Sequence, residues 1–296
     1  MLTLDKVYDA QRVLKDNIRK TDLIYAPALS EKAQIYLKAE NLQTTGSFKV
    51  RGAYYKISRL SDEQKKRGII ACSAGNHAQG VALSAQKNGI ESAIFIPSTA
   101  PISKIEATRK YGAKIMLVDG VYDDAYAEAV KYQEETKGEF IHPFDDIDII
   151  AGQGTIALEL MEQLSDMEAV IVPIGGGGLI SGVAYTVKML NPKCKVYGVQ
   201  ASGAPSMLNS HLKHERLELA SVSTFADGTA VKLPGEHTFE ICEQYVDEIV
   251  TVSEDEIANA VLALIEKQKL IAEGAGALSV AAAIFNKLPI EGKKTV

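Results

Sequence analysis

Four consecutive glycines are the strongest chemical signal in the sequence. Gly175, Gly176, Gly177 and Gly178 follow an apolar run and precede a helical pattern that begins at Leu179. Glycine N–H groups at a helix N-terminus suit an anion, because no side chain blocks them and the helix dipole favours negative charge. A tight strand-to-helix turn is the structural alternative, although one glycine normally suffices for such a turn. The loop therefore predicts a phosphate site.

The spacing of these glycines narrows the type of phosphate. A dinucleotide fingerprint requires G-x-G-x-x-G with an acidic residue about 20 positions later. Here Ile180 or Ser181 stands where the last glycine would be, and the next strand ends at Gln200 rather than at an acid. A nucleoside triphosphate loop is also excluded, because no G-K-[ST] follows. A single phosphomonoester remains.

A candidate nucleophile lies in the segment S-F-K-V-R-G. An isolated lysine is usually a surface residue, but Gly46 and Ser47 are typical of a helix start and put Lys49 in the first turn. The helix dipole there disfavours a cation and lowers a lysine pKa. A neutral amine is what attack on an aldehyde requires. Lys49 is therefore a candidate for covalent bonding to a carbonyl group.

The segment Ser73-Ala74-Gly75-Asn76-His77 also lies between a predicted strand and a predicted helix. Small residues and backbone donors at this junction would hold a second anion, such as a carboxylate. The Asn76 side chain can donate or accept a hydrogen bond toward an oxygen substituent. A capping or core role is the more typical one for His77. Taken alone, Ser73 and Asn76 fit a structural role and a functional role equally well.

Strand-like and helix-like segments alternate along the chain, which predicts parallel sheets with helices on both faces. The predicted strands are 69–72, 93–96, 114–118, 139–141, 169–172 and 195–199. The predicted helices are 78–87, 103–111, 122–136 and 179–190. Ser253 and Glu256 form a capping-box pattern that opens a further helix over 257–267. Residues 201–234 are expected to be mostly loop with one short helix, and residues 293–296 are typical of a strand that is just beginning.

Composition limits the class of protein. The 296 residues carry a net charge of −6, which argues against nucleic acid or an anionic membrane as partner. The three cysteines are far apart, so neither a disulfide framework nor a C-x-x-C metal pair is expected. No export signal is visible, and no apolar stretch approaches the roughly 20 residues needed to span a bilayer. A cytoplasmic protein is expected.

Taken together, these motifs resemble the fold-type II pyridoxal-phosphate (PLP) enzymes, the tryptophan synthase β family. S-F-K-V-R-G-A, S-A-G-N-H-A-Q-G and G-G-G-G-L are similar to the threonine/serine dehydratase (threonine ammonia-lyase) branch. The likeness continues through F-A-D-G-T at 225–229 and A-E-G-A-G-A at 272–277. It implies an α/β protein with two doubly wound open-sheet domains and pyridoxal 5'-phosphate in the cleft between them. The implied large domain is 1–60 with 147–296, the small domain is 61–146, and the implied assembly is a homodimer or homotetramer.

The resemblance assigns roles to named residues. Lys49 would be the catalytic Schiff-base lysine, and Asn76 would hydrogen-bond the phenolic oxygen of the cofactor. The implied cofactor-binding residues are Phe48, Lys49, Asn76, Gly175, Gly176, Gly177, Gly178, Leu179, Gly228 and Glu273. The implied substrate-binding residues, which would hold a carboxylate, are Ser73, Gly75, Asn76 and His77.

The implied reaction is α,β-elimination of L-threonine, and of L-serine, to 2-oxobutanoate or pyruvate and ammonia. Related serine racemases carry a second serine where this chain has Ala74, and alanine cannot donate the proton that racemisation needs. A serine or hydroxyaspartate racemase/dehydratase on the same scaffold is the alternative, and a non-catalytic phosphate sensor is a second one. Gln200, Ala204 and Ser206 stand where those racemases hold a divalent metal, so no metal is expected.

The chain stops before the S-G-G-N-like motif with which relatives contact the pyridine nitrogen. We therefore expect the recorded chain to end before the gene product does. No residue decides between threonine and serine, or between a biosynthetic and a degradative role.

Overall fold

A computed structural model describes all residues, 1–296, and contains ten strands and twelve α-helices. The strands are β1 Leu23–Tyr25, β2 Gln34–Lys38, β3 Ile69–Cys72, β4 Ser92–Pro97, β5 Lys114–Val118, β6 Glu139–Phe140, β7 Ala169–Pro173, β8 Lys195–Ala201, β9 Glu248–Val252 and β10 Lys294–Thr295. The helices are α1 Leu4–Leu14, α2 Lys49–Ser58, α3 Asp62–Arg67, α4 Asn76–Asn88, α5 Ile102–Arg109, α6 Tyr122–Thr136, α7 Ile147–Gln163, α8 Gly178–Leu190, α9 Ser206–Lys213, α10 Glu236–Tyr245, α11 Glu254–Ala263 and α12 Gly274–Ile284. A π-helical segment, Leu264–Gln268, continues α11.

The larger sheet has six strands in the order β1-β2-β10-β7-β8-β9. All neighbouring strands are parallel except β1 and β2, which are antiparallel. Successive side chains of a strand point to opposite faces of a sheet. Accordingly Ala169 and Ile171 of β7 pack in the core that contains α11 and α12, whereas Val170 and Val172 pack in the core that contains α7 and α8. Helices therefore cover both faces.

The smaller sheet has four parallel strands in the order β5-β4-β3-β6. In β3, Ile69 and Ala71 pack with α4 and with residues of α2, whereas Ile70 and Cys72 pack with α6. Both faces are again covered, so this sheet has its own core. The helix that begins at Lys49 thus packs on the small sheet's core as well as on α7.

A close helix crossing fixes the position of α2. A Cβ atom at Gly152 of α7 would lie 2.6 Å from the Gly52 Cα and 2.8 Å from the Arg51 carbonyl oxygen. Next to this crossing, the guanidinium of Arg51 is fully buried between the carboxylates of Glu40 and Glu159, at 2.8 and 2.6 Å. The two helices touch through glycines that have no side chains, and paired charges lie beside the contact. As a result, α2 can pack against α7 in only one position.

The sequence predicts most of this architecture. The α/β class with parallel sheets is confirmed, and every predicted strand in the list above and the four listed helices match observed ones to within two residues at each end. The capping box at Ser253 is confirmed, but the helix it opens changes to π-helical geometry after Ala263. Residues 293–296 do contain a strand, β10, which lies between β2 and β7. The antiparallel β1–β2 pair is a correction, and the domain boundaries stay a prediction.

None of the helices combines the length and the apolar character that crossing a membrane would require.

Replacement of Gly152 by alanine tests the crossing of α2 and α7. The new methyl group would meet backbone atoms that move only with their helix, so we expect the free energy of unfolding to fall by about 1–3 kcal/mol in urea titrations. Gly276→Ala is the control, because its nearest neighbour would be the Ala272 Cβ at 3.5 Å, an ordinary contact. The control should match the wild type or gain up to about 1 kcal/mol. Equal stability of the two variants would contradict this account.

Candidate active site

A cleft of about 1130 Å³ is lined by residues from the regions of both sheets. All the site residues predicted from the sequence line it, and their individual roles stay predictions. These are Phe48, Lys49, Ser73, Gly75, Asn76, His77, Gly175, Gly176, Gly177, Gly178, Leu179, Gly228 and Glu273. Loops that follow parallel strands meet at one sheet edge, which is why segments so distant in sequence converge here.

Lys49 is the first residue of α2, as the sequence predicts. Its Nζ donates a hydrogen bond to the carbonyl oxygen of Pro143 at 2.8 Å and lies 5.6 Å from the centroid of the Phe48 ring. Burial lowers the pKa of Lys49 to about 8, against an opposing attraction from the Glu273 carboxylate. The sequence also predicts a lowered pKa for Lys49, but the cause is removal of the amine from water rather than the helix dipole.

The lowered pKa has a chemical consequence. An ordinary lysine has a pKa near 10.4, so at neutral pH the neutral fraction of Lys49 is larger on the order of a hundredfold. A neutral amine can attack a carbonyl carbon or accept a proton from carbon. A larger fraction of Lys49 is therefore in the state that either step requires.

The four-glycine loop carries a row of free backbone donors. None of the N–H groups from Gly175 to Ile180 donates a hydrogen bond to an acceptor in the protein. Gly177 has φ of +98°, a backbone conformation that a side chain would disfavour. Since Gly175 to Leu179 line the cleft at the N-terminus of α8, the loop can bind an anion the size of a phosphate.

The chain segment between β6 and α7 reaches both the lysine and the glycine loop. Pro143 accepts the hydrogen bond from Lys49, and the Phe144 ring lies 2.4 Å from where a Cβ atom at Gly176 would stand. Phe144 therefore fills the space beside the loop that any larger residue at Gly176 would need. None of the site residues predicted from the sequence lies in this segment. Its signal was H-P-F-D-D directly after a predicted strand, where functional residues of α/β sheets gather.

His142 in the same segment has a defined tautomer. Its Nδ1 accepts hydrogen bonds from the backbone N–H groups of Asp145 at 2.8 Å and Phe144 at 3.3 Å, so the ring proton is on Nε2. Burial lowers the pKa of His142 below its usual range, and the nearby Lys49 acts in the same direction. His142 is thus a neutral hydrogen-bond donor on the cleft wall.

The Ser-Ala-Gly-Asn-His turn leads into α4, whose first residue is Asn76. The His77 ring is buried and bonded to the carbonyl oxygen of Ile141 at 2.8 Å, and burial lowers its pKa to about 3. The His77 side chain therefore lies in the core, and the role of this residue in substrate binding stays a prediction. The backbone N–H groups of Asn76, His77 and Ala78 have no acceptor in the protein. The turn therefore offers a second anion site through its backbone.

Two polar contacts join the walls of the cleft. The Asn76 Nδ2 donates to the Glu273 Oε1 at 2.7 Å, and Lys104 pairs with Asp227 at 2.5 Å. Asp227 precedes Gly228, whose carbonyl oxygen lies 3.3 Å from where a Cβ atom at Gly175 would stand. Gly228 thus lies against the glycine loop, and Glu273 lies against Asn76. No group of three or more His, Cys, Asp or Glu side chains has the arrangement of a metal site.

Comparison with known proteins supports this description. The model of the family of pyridoxal-phosphate dependent enzymes matches residues 14–296. The L-threonine ammonia-lyase of Thermotoga maritima is 54% identical over 296 residues, which are 99% of this chain and 74% of that protein. The L-threonine dehydratase catabolic TdcB of Escherichia coli K12 is 46% identical over 299 residues, covering 100% of this chain and 91% of that protein.

Solved structures give the same fold. Threonine deaminase isoform 2 from Solanum lycopersicum superimposes with a TM-score of 0.94 at 39% identity, over 99% of this chain and 82% of that chain. Maize serine racemase superimposes with a TM-score of 0.93 at 33% identity, over 99% of this chain and 94% of that chain.

The pKa of Lys49 can be tested by competitive labelling of the cofactor-free protein with acetic anhydride, read by mass spectrometry. Only the neutral amine reacts, so the labelling rate should rise with pH and level off above a midpoint near 8. The same peptide in the denatured protein is the control. Its labelling rate should keep rising toward pH 10.4, the pKa of a free lysine. Identical profiles in the folded and denatured protein would contradict the burial argument.

Proposed function

The chain belongs to the family of pyridoxal-phosphate dependent enzymes, and from this premise we propose that it eliminates water and ammonia from L-threonine, and from L-serine. The products are 2-oxobutanoate or pyruvate and ammonia. The observation that carries the proposal is the shared cleft of Lys49 and the unpaired N–H groups that begin at Gly175. A reactive amine and a phosphate cradle are the two attachment points that this cofactor needs.

The residues of the cleft fit pyridoxal phosphate. The N–H groups from Gly175 to Leu179 would hold its phosphate, Lys49 would bond its aldehyde carbon, and Asn76 would hydrogen-bond its ring oxygen. When bound, the cofactor supplies an electron-accepting ring that disperses the negative charge formed at the substrate α-carbon. All other steps fall to side chains and backbone groups of the protein.

The turn at 73–77 would bind the substrate carboxylate. The free N–H groups of Asn76 and His77 lie at the N-terminus of α4, where the helix dipole favours an anion. The Ser73 hydroxyl already accepts a hydrogen bond from the Gly75 N–H at 3.2 Å and retains a proton to donate. A substrate with its carboxylate held here would lie in the same cleft as Lys49.

Lys49 is the base of the proposed reaction. Its free Nζ takes the proton from the α-carbon, and burial, which lowers its pKa to about 8, enlarges the neutral fraction that can do so. The Pro143 carbonyl accepts one N–H of this amine and so orients its lone pair. The proton taken from the α-carbon and the β-hydroxyl leave together as water, and hydrolysis of the released enamine gives the 2-oxo acid and ammonia.

Ala74 supports elimination over racemisation. It lines the cleft beside the carboxylate turn and has no group that can return a proton to the opposite face of the α-carbon. The named activities of the ammonia-lyase and dehydratase relatives point the same way. The similarity to serine racemases reflects the shared scaffold, and family membership gives no support to a non-catalytic sensor.

We also propose a homo-oligomeric cytoplasmic enzyme. Leu262 and Ile265, around the end of α11, expose 55% and 40% of their surface, which suits a contact with a second copy. The three cysteines are free and buried, which suits a reducing compartment.

Lys49→Ala tests the proposed function. Without its base and covalent anchor, the variant should lose turnover of L-threonine to 2-oxobutanoate by a factor of about 10³ or more, together with the near-visible absorbance of bound cofactor. Lys66→Ala, at an exposed position on α3, is the matched control and should keep both. A Lys49→Ala protein that retained turnover would refute the assignment.

Chiral analysis in the same assay separates the alternative. L-serine should be consumed to pyruvate without appearance of D-serine. Accumulation of D-serine would instead favour the racemase.

A further inference from the structure

A buried threonine outside every sequence motif holds the glycine loop. Thr238 lies in the first turn of α10 and is fully buried. Its Oγ1 donates a hydrogen bond to the carbonyl oxygen of Gly176 at 2.6 Å. The Thr238 Cβ also lies 2.8 Å from where a Cβ atom at Gly177 would stand, so α10 packs directly on the loop.

This hydrogen bond determines where the next N–H group points. In a trans peptide the carbonyl of Gly176 and the N–H of Gly177 point in opposite directions. The carbonyl is held toward α10 by the Thr238 hydroxyl and, at 3.4 Å, by the Gly235 N–H. The Gly177 N–H therefore points away from α10, and it has no acceptor in the protein.

The loop needs such a lock because of its composition. Glycine lies on both sides of this peptide, and glycine adopts positive and negative φ about equally. The peptide could therefore turn over and present the Gly176 carbonyl oxygen, a partial negative charge, to the anion. A donor fixed behind the carbonyl favours the orientation that presents an N–H instead.

Thr238 is itself fixed by the segment that contacts Lys49. The Asp145 carboxylate accepts hydrogen bonds from the N–H of Glu236 at 2.9 Å and from the N–H of Thr238 at 3.2 Å. It caps α10 in place of Gly235, which has no side chain to do so. The neighbouring Phe144 packs on the loop from another side. The first turn of α10 is thus held while its hydroxyl holds the loop.

We propose that Thr238 is a positioning residue for the cofactor phosphate, acting through the Gly176–Gly177 peptide. The inference rests on the proposed function in one respect, that the anion is the phosphate of pyridoxal phosphate. It predicts that loss of the hydroxyl weakens binding of the phosphorylated cofactor and leaves binding of unphosphorylated pyridoxal nearly unchanged.

The test compares cofactor-free wild type with Thr238→Val and Thr238→Ser, titrated with pyridoxal phosphate and, separately, with pyridoxal. Thr238→Val should weaken pyridoxal phosphate binding about tenfold or more, the effect of losing a buried hydrogen bond, and change pyridoxal binding less than about threefold. Thr238→Ser keeps the hydroxyl and should restore the wild-type ratio. Thr186→Val removes a buried hydroxyl without a partner, outside the cleft, and should leave both affinities unchanged.

The outcomes separate this inference from the proposed function. An equal loss of both ligands in Thr238→Val, or no loss of either, would overturn the role of Thr238. Thr238→Ala provides the same comparison where the valine variant does not fold. Failure of the wild type to bind pyridoxal phosphate at all would refute the proposed function instead.

Discussion

The burial of one primary amine, which lowers its pKa to about 8, is the constraint on which the rest of this structure depends. A charged lysine is costly to bury, so burial shifts the equilibrium of Lys49 toward the neutral form. That shift exists only while α2 keeps the side chain inside the cleft. The close crossing of Gly52 and Gly152, and the buried Arg51 with its two carboxylates, fix α2 in that position. The helix crossing and the buried charges thus support the chemistry of the Lys49 Nζ.

Helix N-termini provide the two anion sites of the cleft. The helices α4 and α8 both begin at the cleft with N–H groups that have no acceptor in the protein. The short segment from Ile141 to Phe144 contacts the carboxylate turn, Lys49 and the glycine loop. His77 bonds the Ile141 carbonyl, Lys49 bonds the Pro143 carbonyl, and Phe144 packs on the glycine loop. The amine, the carboxylate turn and the phosphate loop are therefore held at fixed distances from one another.

The features that could be predicted from the sequence are those with a signal in a short stretch of residues. Strand-loop-helix junctions, the four glycines and the first-turn position of Lys49 are all encoded within a few residues. Thr238 could not be found in this way, because its role arises from a contact with Gly176, far away in sequence. The cause of the lowered Lys49 pKa was missed for the same reason, since burial is a property of the whole cleft. The strand β1, of three residues, is too short for a clear periodic pattern.

The central claim is that Lys49, and no other amine, bonds the cofactor. Borohydride reduction of the holoenzyme, followed by proteolysis and mass spectrometry, fixes the cofactor to whichever nitrogen holds it. The expected result is a single phosphopyridoxyl group on the peptide that contains Lys49. Label on Lys38, Lys104 or Lys232, which also line the cleft, or on no lysine at all, would contradict the account.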